Sequence, residues 1–308
     1  MIKGQTKGII YLLITAIIWG GSFISQYLGG EVLGAFTFNT YRCVFGCLAI
    51  FVIILFDNYF KTHIICFFRK DEPKLITIKN SFWCGIVLFF AMITQQIGVQ
   101  GTTTAKAGLI AALEVVCVPI LMLILYRRKI RLITWIFIIT SMIGIMILSA
   151  GDVSGINMGD VWVFVSTILY SITIIQVPKY VRGIDPIKFS FFRFVIIGIM
   201  GFACAVIAKE EPFSIENLKI AKYSILYSGI FASGVAYTFQ ILGQKYCDPI
   251  IATLIMSLEG IFAAIFGWIL LGQSLNFFQI TGILLTFISI IFVQITENNK
   301  KVYEIKKG

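Results

Sequence analysis

Apolar windows of about 20 residues recur from one end of this chain to the other, and that spacing excludes most folds. Each window can cross a hydrocarbon core of about 30 Å as a helix. Helix is required, because lipid offers no partner for backbone N–H and C=O groups. The 308-residue chain is 58% hydrophobic and 13% charged, with mean hydropathy +0.94. This is the composition of an all-α integral membrane protein. Ten spans are predicted, at 8–28, 34–56, 80–100, 105–126, 132–150, 159–178, 187–208, 221–244, 249–271 and 275–295. Breaks are expected at Gly29-Gly30, Pro178, Pro186 and Asp248-Pro249, and a kink at Pro119 inside span 4. The longest polar stretch, near Asp57–Asn80, leaves no room for a soluble domain. The first apolar run lacks a small-residue cleavage site and reads as helix 1 rather than a signal peptide.

Two of these spans carry a carboxylate near the middle, which costs roughly 2.5–3.5 kcal/mol to insert. They are Glu114 in span 4 and Glu259 in span 9, 145 positions apart. At that offset Gln95 aligns with Gln240, Gly98 with Gly243 and Leu113-Glu114 with Leu258-Glu259, without a gap from Gln95 to Ala150. At an offset of 151, Trp19 aligns with Tyr170, Phe38 with Phe189 and Arg42 with Arg193. The chain therefore divides into residues 1–150 and 151–308, five spans each, the second ending in a basic tail, Lys300–Gly308, that is expected to be disordered. Five is odd, so the second half enters from the opposite side as an inverted repeat, an architecture of secondary transporters with the substrate site near the midplane.

Lysine and arginine set the orientation. With both termini in the cytoplasm, 19 of the 25 basic residues fall on that side. This bias explains the net charge of +10 without nucleic acid. The seven cysteines are scattered, with no C-x-x-C, and read as apolar fillers. The single histidine, His63, lies in a basic loop, which argues against a histidine-based metal site, and no cofactor is called for.

Several polar residues share helix faces. Trp19, Ser22, Phe23 and Gln26 lie on one face of span 1, and Tyr170, Thr173 and Ile174 on the equivalent face of span 6. Ser233, Tyr237, Gln240 and Gln244 follow 4-3-4 spacing in span 8, and Gln95 and Gln96 lie in span 3. Each amide alone reads as glue between helices; together they read as the lining of a wet cavity for an uncharged, zwitterionic or amphipathic solute. Glu114 and Glu259 have two readings. A carboxyl group away from water can exchange protons near neutral pH. Alternatively, each neutralises Arg42 or Arg193 in a buried ion pair. Glu259, which follows Tyr237 and Gln240, is expected to face the cavity; Glu114, among apolar neighbours, is expected to be structural.

Trp19-Gly20-Gly21-Ser22-Phe23, Gln95-Gln96-Ile97-Gly98 and the run Ser257-Leu258-Glu259-Gly260-Ile261-Phe262, set in a five-plus-five plan, resemble the EamA-type members of the drug/metabolite transporter superfamily. The likeness covers nearly the whole chain. It departs at Leu271-Gly272-Gln273, where the family commonly has glutamate after the glycine. The resemblance implies a bacterial inner-membrane exporter of amino acids or similar small metabolites, with a cavity lined by spans 1, 3, 4, 6, 8 and 9. Its partners would be a small-molecule substrate and membrane lipids; a monomer suffices, and a dimer is compatible. Two rival functions are a flippase for lipid-linked sugars or amphipathic drug-like compounds, and an intramembrane transferase. The transferase finds no support, since G-x-S-x-G, H-E-x-x-H and Asp-rich motifs are all missing.

Overall fold

The computed structural model describes residues 2–60, 74–102, 104–128, 130–149, 157–211, 214–271 and, within 277–292, all but 279, 283 and 290. The basic tail, His63 and Gly272-Gln273 lie outside the described residues. Every regular element described is helical: α1 (Ile2–Gly30), α2 (Ala35–Phe60), α3 (Lys74–Gly101), α4 (Thr104–Ala112), α5 (Glu114–Tyr126), α6 (Leu132–Ser149), α7 (Met158–Tyr180), α8 (Pro186–Ile207), α9 (Ile215–Leu226), a π-helical stretch (Tyr227–Ala236), α10 (Tyr237–Gln244), α11 (Pro249–Met256) and α12 (Glu259–Leu271). Six helical runs are long and apolar enough to span a membrane, and four shorter apolar helices accompany them.

Local chemistry fixes several helix starts. Asn157 and Asp160 form a reciprocal capping box on α7. Asp185 and Asp248 cap α8 and α11, each followed by proline at the first helical position, whose missing N–H is unpartnered there anyway. One proline expectation needs correction. Pro178 does not end its helix, which runs on to Tyr180. Pro119 sits inside α5, and the interruption of span 4 falls six residues earlier, at Leu113. The second copy breaks at the matching place, before Glu259, with no proline in α12, so proline is not what breaks either helix.

Packing partners come in pairs that the two offsets relate. α3 lies along α7 as α1 lies along the π stretch and α10; α3 meets α8 as the π stretch meets α2; α4 and α5 meet α7 as α11 and α12 meet α1. The outer faces are apolar, with Leu48, Phe51, Leu132, Ile199 and Phe278 exposed. The interior is unusually polar, with Gln26, Arg42, Gln96, Arg193 and Gln240 all at least 98% buried. This suits a bundle in lipid, where burying apolar surface gains little and close packing plus interhelical hydrogen bonds hold helices together. Trp19 Nε1 donates to the Ala232 carbonyl at 3.1 Å and Thr15 Oγ1 to the Ala236 carbonyl at 3.0 Å, so α1 supplies donors to the wide π turn.

Candidate functional site

The two glutamates open the second halves of two broken helices. Leu113, between α4 and α5, has φ −62° and ψ −8°; Ser257, after α11, has φ −62° and ψ −12°. Backbone bonds shorten to three-residue steps at both places: Leu113 N to Ile110 O at 3.1 Å, Leu258 N to Ile255 O at 3.2 Å. Glu114 and Glu259 thereby occupy the first turn of a half-helix, where the dipole favours negative charge. Gly20 seats the second of these turns against α1. A Cβ there would lie 2.9 Å from the Glu259 carbonyl oxygen and 2.6 Å from Phe262 Cβ, so a larger residue would push α12 away.

Both carboxyl groups line one central cavity of about 20 Å³, room for about one water. Among the described residues neither forms an ion pair, with Arg42, Arg193 or anything else. Glu114, read from sequence as the structural copy, lines the cavity as Glu259 does.

Around them the cavity is closed by Trp19, Ser22, Phe23 and Gln26 of α1, Arg42 of α2, Gln95 of α3, Tyr170 of α7 and Tyr237 of α10. Tyr237 OH donates to Tyr170 OH at 3.2 Å, and Tyr170 OH donates to Gln95 Oε1 at 3.1 Å. The Trp19 ring meets Tyr237 edge-on, centroids 4.8 Å apart. Arg42 Nε donates to Ser233 Oγ at 2.8 Å and Nη1 to Gln26 Oε1 at 3.4 Å, which uses two of its five N–H groups.

The remaining sequence candidates lie elsewhere. Gln96 is fully buried and donates to the Gln26 carbonyl at 3.0 Å, a bond between helices. Gln240 is 2% exposed, and its Oε1 has no hydrogen-bond partner. Gln244 faces a separate cavity of about 260 Å³ between the ends of α7 and α10, beside Arg182 and Lys245. Arg193 is fully buried behind Tyr237 and is not among the residues lining the central cavity. Sequence reading missed the helix breaks and the π stretch. Leu113 and Leu258 give no turn signal, and a π turn differs from an α turn by one hydrogen-bond step that no residue type marks.

The EamA-like transporter family matches residues 6–150 and again residues 157–295. The chain belongs to the EamA-like transporter family. A transporter of uncharacterised function from Archaeoglobus fulgidus is 27% identical over 92% of this chain and 84% of its own length. Another, from Clostridium kluyveri, is 23% identical over 98% of this chain and 96% of that protein. Among solved structures, one crystal structure superposes with a TM-score of 0.72 at 11% identity, covering 92% of this EamA-like chain and 95% of that one, which shows the fold alone.

Proposed function

We propose that this EamA-like protein exports small zwitterionic metabolites of the amino-acid class across the bacterial inner membrane by alternating access, exchanging protons at Glu114 and Glu259. Both termini face the cytoplasm and the two halves are inverted. The observation that carries the reading is the pair of repeat-related carboxyl groups sharing one cavity with no ion pair among the described residues. They can hold protons, or they can hold a solute's ammonium group. Arg42, with N–H groups to spare, faces the same cavity and can take a carboxylate. Because the cavity holds about one water, the helices around it must part to admit a solute.

Transport in proteoliposomes against a panel of amino acids, with and without a pH gradient, tests this. Uptake that follows the gradient is expected; uptake indifferent to it contradicts the coupling. Reporter fusions at residue 130 should be cytoplasmic and at residue 155 periplasmic, and both on one side would contradict the inversion.

A second reading, flipping of a lipid-linked sugar, draws on an apolar groove of about 630 Å³ between α2 and α8, walled by Leu48, Phe51, Phe194 and Phe202. That groove shares no lining residue with the polar cavity, so a lipid tail in it would be disconnected from the charged groups.

A further inference from the structure

Among the described residues, Arg193 is a buried cation whose side chain makes no hydrogen bond. Its side chain is 0% exposed, and Nε, Nη1 and Nη2 all lack a partner. Three aromatic rings face it: Phe189 at 5.4 Å, Phe194 at 5.6 Å and Tyr237 at 5.5 Å from Cζ to the ring centroids. Among the described residues, the titratable groups that act on its charge are the thiols of Cys84 and Cys43 and the phenols of Tyr237 and Tyr170. Ring faces offset only part of what a guanidinium loses on leaving water.

Its repeat counterpart, Arg42, is held by Ser233 and Gln26. Applying the same offsets to those partners gives Leu88 and Val177, both fully buried and apolar. Val87 and Phe89, on either side of Leu88, are apolar too, so a one-residue shift from the π stretch changes nothing. Arg193 keeps the charge, while the positions that would satisfy it, Val177 in its own half and Leu88 in the other, are apolar.

The two arginines meet at one side chain. Arg42 stands 5.9 Å and Arg193 5.5 Å from the centroid of the Tyr237 ring, and that ring is a wall of the central cavity. Moving the Tyr237 side chain would open the cavity to Arg193. We propose that Arg193 is a second station for the carboxylate of the transported solute, taken up from Arg42 when Tyr237 swings aside. This rests on the zwitterion reading above. Inverted halves that exchange conformations during transport would bring each arginine to the cavity in turn. A guanidinium with no resident partner has all its N–H groups free for a passing carboxylate.

The test compares binding of leucine, 3-methylbutylamine (leucine without its carboxylate) and 4-methylpentanoate (leucine without its ammonium) by thermal shift in nanodiscs. In Arg193→Met, leucine and 4-methylpentanoate are left with Arg42 alone, whose N–H groups are partly taken by Ser233 and Gln26, and should bind about tenfold or more weaker, the worth of charge-assisted hydrogen bonds. The amine should bind as it does to the parent. Arg193→Met binding all three as the parent does overturns the station and leaves the zwitterion reading standing. Leucine failing to shift the parent overturns the zwitterion reading itself, and the station with it. Should Arg193→Met not fold, Arg42→Gln decides: 4-methylpentanoate should still stabilise that protein through Arg193, and no shift overturns the station.

Discussion

Arg42 Nε donates to Ser233 Oγ across 2.8 Å, linking α2 to the π-helical stretch beside the central cavity. A serine hydroxyl can accept this bond, and the arginine keeps three N–H groups free after its second contact, with Gln26. The interaction fixes where the guanidinium points without neutralising it. Ser233→Ala should destabilise the protein by about 1.5–3 kcal/mol, the range for a hydrogen bond to a charged group. Thermal melting in nanodiscs measures this; an unchanged melt would show that Arg42 is held by something else.

Pro178 has no N–H for the Ile174 carbonyl four residues before it, and Gln244 Nε2 donates to that carbonyl instead, at 3.5 Å. Gln244 therefore acts as a bond between α10 and α7. Gln244→Leu should cost about 1–3 kcal/mol of stability while leaving solute KM unchanged. Pro178→Ala restores the helical N–H, so adding it to Gln244→Leu should recover part of the loss. A raised KM in Gln244→Leu with normal melting would return this residue to the solute path.

Glu210, just past the end of α8, accepts from Thr37 N at 2.7 Å and Phe36 N at 3.3 Å, so it caps α2 from another helix pair. A carboxylate there suits the N-terminal end of the helix dipole. Glu210→Ala should cost about 0.5–2 kcal/mol in a thermal melt, with Glu210→Gln closer to the parent. Equal melting of all three would mean that the cap contributes nothing.

At the opposite end of the bundle, Arg128 and Asp248 form an ion pair at 2.7 Å between the two halves, and Asp248 also caps α11 through Ile250 N at 3.1 Å. Asp248→Asn keeps a good cap and loses only the pair, so it should cost about 0.2–1 kcal/mol. Asp248→Ala loses both and should cost about 0.5–2 kcal/mol more. Equal costs for the two variants would contradict the double role.

Charge made part of the site legible in the sequence. Glu114, Glu259, Arg42 and Arg193 stand out because lipid penalises them wherever they occur, and their spacings, 145 positions for the glutamates and 151 for the arginines, relate the two halves. The helix breaks were not legible, since Leu113 and Leu258 are good helix formers and the breaks come from a few shortened hydrogen bonds. Pro178 pointed to the wrong place because Gln244 of a neighbouring helix meets the carbonyl that this proline frees. The amides were ambiguous for a different reason. Periodicity shows that Gln95 and Gln96 are in one helix, but only packing decides that Gln95 meets the cavity and Gln96 meets the Gln26 carbonyl.

The central claim is that the paired glutamates exchange protons during transport, and Glu→Gln variants in proteoliposomes test it most directly. Glutamine keeps the shape and removes the titrating group. Uptake driven by a pH gradient should collapse in Glu259→Gln and in Glu114→Gln, while exchange of labelled for unlabelled solute, with no gradient, persists. Gradient-driven uptake in Glu259→Gln equal to that of the parent protein would contradict the account.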